Sequence, residues 1–519
     1  MIENEDFVKY EHCNQLINQG KYDEALIIAE SILNPAYRAS VLVDAGFALG
    51  KSSKVSLGTD LFKDLITSEE GKGFPRQSLL FNAANGHYSL YTLRWRTRNK
   101  TIPSNDKDLR LAKRFYREAL KELPFDNGEF TSQVWVNYGN CLSKLGRFAE
   151  AIECYQESLK ADPTNGMAAG NLGIELEYVS RLTGKHAHEY LALAHEMLTR
   201  ALGDSTHLKF GSPNAVHSFQ EHLANLTHVL RAHKEPISVP EPIRTSGKTK
   251  AINEYVQFCI YNGLFLNAWV GDPLLSPGLS DELSYGPIVT SLNDNCRIPE
   301  LLRILNEIKE AFATARYLFF LSQRKNSLLN YISGMTIYFN NLDYDVNGIY
   351  TGLCKTAYTR AFDILDKVAR IINVYFGIGN RKNDFWRMFV EKQSHGEEHT
   401  EWFAVRPTIA RSGIYSLYAL ADICVDYFEQ KHVDLTTIDK RRNKITHDYL
   451  TVRLFHLKNE SDEVVDLDDL AKQTRDVLLL AKHAVVYAVS AVNLAEAQKK
   501  TIEKTGHLIY GSNPGQPFM

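Results

Sequence analysis

Residues 135–176 read WVNYGNCLSKLGRFAEAIECYQESLKADPTNGMAAGNLGIEL, and this stretch decides the fold. Gly139 and Gly173 lie 34 residues apart, and a leucine follows each of them three residues later. Small residues at such positions let two helices approach closely, while large residues fill the gap between them. A period of this length is typical of a stack of similar helix pairs.

The spacing of Trp135, Tyr138-Gly139, Ala151, Tyr155 and Pro163 resembles the tetratricopeptide repeat, with aromatic and aliphatic residues exchanged at some positions. Weaker copies lie upstream, at residues 20–26, 45–46, 85–86 and 111–124. Each unit exposes an apolar face unless a neighbour stacks on it, so an array is needed. We therefore predict a tetratricopeptide-like α-solenoid over residues 1–235. The resemblance implies a concave face that binds a peptide or protein trigger. The alternative is a generic helical bundle with chance glycines and alanines.

The tetratricopeptide-like pattern is no longer recognisable after His233. Residues 234–250 contain three prolines and no helical period, and further prolines interrupt residues 271–299. Proline and irregular patterning favour loops, so we predict a linker and irregular connecting segment at 236–298. The chain end, with Pro514 and Pro517, predicts a loose tail over residues 506–519.

Long helical patterns return after the linker. They predict five helices, over residues 299–325, 353–376, 411–429, 436–457 and 467–500. The second has a broad apolar stripe at helical spacing, and we find no convincing alternating strand pattern. The predicted fold class is all-α: a solenoid followed by a helical bundle of about five helices over residues 299–505.

One segment of this bundle, residues 438–450 (IDKRRNKITHDYL), carries the most informative chemistry. RNA holds its own nucleophile in the 2′-hydroxyl, so cleavage without metal needs proton transfer and a cation on the phosphate. His447 can titrate near neutral pH and serve as a general acid or base. Arg442 offers a permanently charged planar fork to phosphate oxygens. Asn443 can hold the imidazole or the phosphate by hydrogen bonds.

The arrangement Arg442-Asn443-x-x-x-His447 resembles the R-[N/H/D]-x-x-x-H motif of the HEPN superfamily, whose members are compact helical domains. The resemblance covers roughly residues 290–500. It implies an endoribonuclease that acts as a dimer without metal or cofactor and leaves a 2′,3′-cyclic phosphate, with tRNA as a candidate target. The pairing with tetratricopeptide repeats resembles a bacterial family associated with toxin and phage-defence loci, and such an RNase must be regulated.

Helix geometry also favours a dimer. At about 100° per residue, Asn443 and His447 are ~40° apart, whereas Arg442 and His447 are ~140° apart. Two facing copies of the helix can converge both side chains on one phosphate, so we predict a homodimer with a composite site.

The basic residues around this motif are further candidates. We predict that Lys440, Arg441 and Lys444 contact RNA. They lie close together near a predicted helix start, where positive charge is unfavourable beside the positive end of the helix dipole, and a bound anion would offset it. Tyr449 could stack on a base. A plainer interpretation is a solvated basic helix end balanced by Asp434, Asp439 and Asp448. Arg316 is more simply a surface residue than a brace for the site.

Two further patterns carry less weight. Arg181 and His186 repeat the Arg-x4-His spacing inside the repeats, but Leu182 and Gly184 do not suit the motif, so we assign them no role. Residues 395–399 spell H-x-x-E-H, the pattern of inverted zinc proteases, but Gly396 and the surrounding polar run favour a loop.

Bulk properties limit the remaining classes. With a net charge of −3, the chain as a whole does not attract nucleic acid electrostatically, so RNA contact requires a local patch of basic residues. Seven scattered cysteines without a C-x-x-C pair fit reduced thiols. The polar N-terminus and short apolar runs favour a soluble cytoplasmic protein without membrane contact. Two alternatives stay open: a catalytically silent scaffold, and a peptide-binding signalling regulator.

Overall fold

The chain forms two compact units, made of residues 1–176 with 193–235 and of residues 177–192 with 236–519. The computed structural model describes residues 2–97, 102–123, 128–182, 187–203, 213–232, 249–267, 281, 283–291, 298–339, 344–378, 384–393, 402–429, 433–454, 464–499 and 507–510. Both units are dominated by helices, so the all-α fold class is confirmed. The predicted domain limits stay a prediction.

The described residues of the first unit contain all or part of eleven helices, and the first eight of these pack in consecutive pairs, as the repeat pattern predicts. Their bounds are α1 Ile2–Asn18, α2 Tyr22–Ala29, α3 Pro35–Ala48, α4 Ser52–Thr67, α5 Arg76–Thr97, α6 Lys107–Lys121, α7 Gly128–Lys144, α8 Phe148–Ala161, α9 Gly166–Ser180, α10 Ala187–Ala201 and α11 Pro213–Ala232. Helices α9 and α10 begin in one unit and end in the other.

The small residues of the repeat sit where helices touch. A Cβ added at Gly139 in α7 would lie 2.7 Å from the Tyr155 ring on α8, and one at Gly173 would lie 2.7 Å from Leu198 on α10. Real Cβ atoms do not approach so closely. The 34-residue period therefore marks two equivalent points of close helix contact.

Turns within the pairs also repeat. Gly20, Gly50 and Gly146 adopt positive φ angles of 77°, 70° and 82°. In the last of these turns the amide of Arg147 donates to the carbonyl of Leu142 at 2.9 Å, a Schellman arrangement found at the other two as well. Glycine tolerates this left-handed backbone, so these residues end the first helix of three of the pairs.

The second unit is a bundle built on long buried helices. Its helices are α12 Lys250–Asn262, α13 Ile298–Ser322, α14 Ser327–Gly334, α15 Ile349–Phe376, α16 Phe385–Met388, α17 Pro407–Ser412, α18 Tyr415–Phe428, α19 Val433–His447 and α20 Leu467–Gln498. Helices α15, α18 and α20 supply most of the core, and α18 is buried from Ser416 to Asp426.

Three short strand pairs accompany the bundle. Strand β1 (Ile288–Ser291) pairs antiparallel with β6 (His507–Tyr510), and β2 (Val390–Gln393) pairs antiparallel with β3 (Trp402–Val405). Strand β4 (Thr451–Arg453) runs parallel to β5 (Val464–Asp466). None showed an alternating pattern in sequence, because each has only three or four residues.

Three local predictions are wrong. The segment 236–298 is not irregular throughout, because α12 forms there between the N-cap Thr249 and the left-handed C-cap Gly263. The tail is not loose throughout, because residues 507–510 pair with β1. The fourth predicted helix ends at His447 rather than residue 457, because Val452 pairs with Val465 of β5.

Helix α20 also departs from expectation. By length and composition it could cross a membrane, whereas the short apolar runs of the sequence predict no such helix. However, 78 % of its apolar window is buried inside the protein. Its apolar character is therefore used by the bundle core.

Candidate functional site

Helix α19 carries the Arg-Asn-x-x-x-His motif on the surface of the bundle. It packs on α15 and α18. Its anchor is Ile438, whose side chain is buried and whose carbonyl accepts a hydrogen bond of 2.6 Å from the Tyr358 hydroxyl. The helix is thereby fixed in rotation, which decides the face that each motif residue occupies.

Arg442 faces the bundle. Its side chain retains 28 % exposure and lines a cavity of about 490 Å³ between α15, α16, α18 and α19. The guanidinium carbon lies 4.8 Å from the centroid of the Phe362 ring, a cation–π contact. Its Nη2 lies 3.7 Å from Asp439 one turn earlier. Arg442 is therefore held by a ring on one side and a carboxylate on another.

An aromatic pair forms part of the same cavity. The rings of Trp386 and Tyr427 stack with centroids 4.1 Å apart and an interplanar angle of 11°. The Tyr427 hydroxyl donates to Asp439 at 2.7 Å. The carboxylate that approaches Arg442 is thus itself oriented by a second side chain.

The electrostatics of the cavity are mixed. Burial raises the pKa of the carboxyls of Asp363 and Asp366, and the positive charge of Arg442 opposes that rise. Of the acidic side chains, Asp366, Asp384 and Asp439 line the cavity. The Nε of Arg442 is buried and has no hydrogen-bond partner within the described part of the chain. The guanidinium is therefore surrounded by carboxylates but keeps unused donor capacity.

Asn443 and His447 occupy a different face of α19. Both side chains are exposed, and His447 is the last residue of the helix. Neither lines the Arg442 cavity. The structure thus places Asn443 and His447 on one face of α19 and Arg442 on another face of the same helix.

The predicted RNA-contacting residues lie on the second half of α19 and just beyond it. Lys440 is exposed, Arg441 is half-buried and Tyr449 is 63 % exposed. Lys444 pairs with Asp448 at 2.9 Å, and this hydrogen bond lowers the pKa of the Asp448 carboxyl.

The prediction that the basic cluster lies at a helix start, and attracts an anion for that reason, is wrong. Helix α19 begins at Val433, several residues before the cluster, and Lys444 and His447 lie in its last turn. Positive charge there is favoured by the helix dipole rather than opposed by it. The alternative interpretation is a solvated basic helix end balanced by acidic side chains. Two of these acidic residues are described, and both lie beside basic ones: Asp439 beside Arg442 and Asp448 beside Lys444.

Arg316 is neither a surface residue nor a brace for α19. It is buried and forms two hydrogen bonds with Asp281, one with the Tyr255 hydroxyl and one with the Leu264 carbonyl. It joins α12 to α13. Sequence spacing gave no sign of this, since its partners come from the segment expected to be irregular.

The two minor patterns have different outcomes. Arg181 pairs with Glu177, while His186 lies outside the described residues. The H-x-x-E-H segment, 395–399, also lies outside them. Within the described ranges, no group of three or more histidine, cysteine or acidic side chains is arranged to hold a metal.

Sequence reasoning missed an exposed apolar surface on the second unit. No residue of α14 is buried, and exposed apolar side chains continue after it. We call this the α14 surface; its residues are Leu328, Tyr331, Met335, Ile337 and Phe339. The run SLLNYISGMTIYF at residues 327–339 was the available signal.

Comparison with known families agrees with this architecture. Residues 132–165 match the tetratricopeptide repeat, and residues 292–495 match a HEPN family. The chain thus combines a tetratricopeptide repeat with a C-terminal HEPN domain. That domain is of the kind described as LA2681-like HEPN. No curated protein matches the chain significantly. The tetratricopeptide repeat assigns protein interaction to the first unit, and the HEPN domain is of a class compatible with nuclease-type activity.

Proposed function

We propose that the protein is a metal-independent endoribonuclease of the HEPN type, regulated by its tetratricopeptide repeats. The observation that carries this proposal is the motif itself, which lies on a surface helix of a HEPN domain with Asn443 and His447 exposed. Arg442 adds a guanidinium on a side chain that retains 28 % exposure and lines a cavity.

The chemistry follows from the residue types. The 2′-hydroxyl of RNA attacks the adjacent phosphorus, and His447 transfers a proton as general acid or base. Arg442 stabilises the charge that builds on the phosphorane oxygens. Asn443 orients the imidazole or the phosphate through its amide. The products would be a 2′,3′-cyclic phosphate and a 5′-hydroxyl, with tRNA the first substrate to test.

A second copy of the chain would complete this site. Arg442 and His447 lie on different faces of one α19, so one subunit does not present both to the same phosphate. Two facing α19 helices could pair the arginine of one subunit with the histidine of the other.

The α14 surface supports such a dimer. Ile337 is 94 % exposed and Phe339 is 97 % exposed, and contiguous apolar exposure of this kind marks interaction sites. Residues that follow the α14 surface in the chain contact the segment just beyond α19: Asp345 bridges to Arg453, and the Val346 amide donates to the Val452 carbonyl at 2.7 Å. An interface that extends from the α14 surface to these residues would bring the helix end that carries His447 close to the partner.

The biological setting belongs to the same proposal. Such a nuclease would act in the cytoplasm in a toxin or anti-phage role, and a trigger that binds the first unit would change its basal activity. Binding would shift the equilibrium between open and cutting-competent dimers.

A direct assay tests the activity. Purified full-length protein is mixed with total tRNA in excess EDTA, beside His447→Ala and an exposed-surface control, His217→Ala in the first unit. The proposal expects cleavage by the wild type and the control and none by His447→Ala, with cyclic-phosphate ends. Cleavage that is absent, or independent of His447, would refute it.

One observation favours a second candidate, a catalytically silent HEPN scaffold. Carboxylates around Arg442 would repel an incoming phosphate, and Asp439 already approaches the guanidinium. A scaffold would bind RNA or protein without cutting. It would show RNA binding in a gel-shift assay with unchanged RNA, whereas the nuclease shortens the RNA.

A further inference from the structure

The first unit contains a groove whose ligand chemistry can be inferred. Its volume is about 850 Å³, and its lining comes from α1, α3, α4, α5, α7, the end of α8 and the start of α9. Most of these are the first helices of successive pairs, so the groove follows one face of the helical stack. Its length across several repeats suits an extended ligand rather than a compact one.

Side-chain amides along this groove are held in one orientation. The carbonyl oxygen of Asn85 accepts from the Tyr116 hydroxyl at 2.6 Å and from the Asn137 amide at 3.0 Å. One helix pair further on, the carbonyl oxygen of Asn140 accepts from the Tyr155 hydroxyl at 3.0 Å and from the Asn171 amide at 2.7 Å.

The repeated network decides what these amides offer. Both lone pairs of each carbonyl oxygen are used, so the NH₂ groups of Asn85 and Asn140 remain as donors, while Asn137 keeps its carbonyl oxygen as an acceptor. Donors and acceptors at regular intervals match the alternating C=O and N–H groups of an extended polypeptide. These amides would bind the main chain of the peptide whatever its side chains are.

The charge of the groove supplies the selectivity. Its described lining includes the carboxylates of Asp44, Glu129 and Asp162 and no lysine, arginine or histidine. Asp162 accepts hydrogen bonds from Thr164 in its own loop. Asp44 is exposed in the groove and forms no ion pair with any described residue. An uncompensated carboxylate of this kind is stabilised when a cation approaches it.

We propose that the groove binds an extended peptide segment with its main chain on the asparagine amides and a lysine or arginine side chain against Asp44. The proposal rests on the protein-interaction role of the repeats and is independent of the nuclease site. Acidic peptides and nucleic acid are disfavoured, because their negative charges would face three carboxylates.

A random peptide library provides the probe. Dodecapeptides displayed on phage are selected on the full-length wild-type protein, and the enriched sequences are synthesised with a fluorophore for anisotropy titration. Asp44→Asn is the test variant, since it keeps the shape of the side chain and removes its negative charge. Asp60→Asn is the matched control, because Asp60 lies on exposed α4 surface and pairs with Lys63. Asp44→Lys reverses the charge in the groove.

The proposal expects enriched peptides to share a lysine or arginine at one position. Their Kd should weaken about tenfold in Asp44→Asn, the effect of losing ~1.4 kcal/mol of one charge pair, and stay unchanged in Asp60→Asn. Selection on Asp44→Lys should enrich an acidic residue at that position. Thermal unfolding of each variant verifies the fold.

Several results would overturn it: no enrichment on wild type, enrichment without a basic residue, equal affinity for Asp44→Asn, or displacement of the peptide by RNA. Cleavage of tRNA in the same preparations is scored separately. A loss of nuclease activity therefore cannot be mistaken for a failure of the groove.

Discussion

The guanidinium of Arg442 lies 4.8 Å from the ring centroid of Phe362 on the neighbouring helix α15. This contact joins the motif helix to the centre of the bundle and fixes the direction of the one permanent cation in the motif. A preorganised cation loses less freedom when a phosphate binds to it. The position of Arg442 is thus set by packing as well as by its place in the motif.

Replacing Phe362 by leucine should therefore impair cleavage. The contact is worth ~0.5–1 kcal/mol, so we expect kcat/KM on tRNA to fall by about two- to fivefold. Initial cleavage rates in EDTA measure the effect. Phe376→Leu, at the last residue of α15, is the matched control and should retain the wild-type rate. Equal rates for the two variants would remove Phe362 from the site.

Charges placed on the α14 surface should dissociate the proposed dimer. In Tyr331→Glu with Met335→Glu, two exposed apolar side chains become carboxylates that a dimer interface would bury without partners. Sedimentation velocity should show a monomer at concentrations where the wild type is dimeric, and cleavage should fall with it. Ile27→Glu, on exposed surface of the first unit, should do neither. A dimer that survives the double substitution would place the interface elsewhere.

The close contact at Gly139 predicts opposite effects for two glycine-to-alanine substitutions. Gly139→Ala drives a methyl group into the Tyr155 ring and should destabilise the first unit by about 1–3 kcal/mol. Gly352→Ala, in the first turn of α15 with open space around it, should stabilise the second unit by at most ~0.5–1 kcal/mol. Urea unfolding, monitored separately for each unit, measures the sign of the change in the free energy of unfolding for both variants. A neutral Gly139→Ala would mean that the helices separate at no cost.

Stability of the first unit should fall as pH rises toward neutrality. Burial raises the pKa of Glu175 to about 7, while the Ser143 hydroxyl and Lys144 oppose that rise. The folded state therefore binds a proton more tightly than the unfolded state, and this stabilisation is complete below about pH 4.5 and lost as pH passes 7.

The variant Glu175→Gln removes this dependence. It should raise the melting temperature at pH 8, by an amount equivalent to roughly 3 kcal/mol at most, and change little at pH 5. Differential scanning calorimetry at the two pH values gives the comparison. Glu157→Gln, on the exposed side of α8, serves as the control for loss of one negative charge. The same increase at both pH values would contradict the assignment.

Local patterns account for what could be predicted from sequence. The period from Gly139 to Gly173 reports helix contacts within single repeats, and the stripe on α15 reports one buried helix face. The motif on α19 is contiguous, so the exposed faces of Asn443 and His447 follow from helix geometry once the helix exists.

Long-range contacts account for what could not be predicted. The Arg442 cavity combines Phe362, Trp386 and Tyr427 from three helices, and no spacing along the chain connects them. The pairing of Val452 with Val465 ends α19 early, and this shifts the basic cluster from the helix start to its second half. Both depend on partners that sequence patterns do not reveal.

Subunit complementation tests the central claim most directly. Arg442→Ala and His447→Ala are each inactive alone if both side chains are required. After the two variants are mixed and allowed to exchange subunits, half of the dimers are mixed and each holds one intact composite site, so about a quarter of wild-type tRNA cleavage should return. No recovery in a preparation shown to contain mixed dimers would contradict a site shared between two copies of α19.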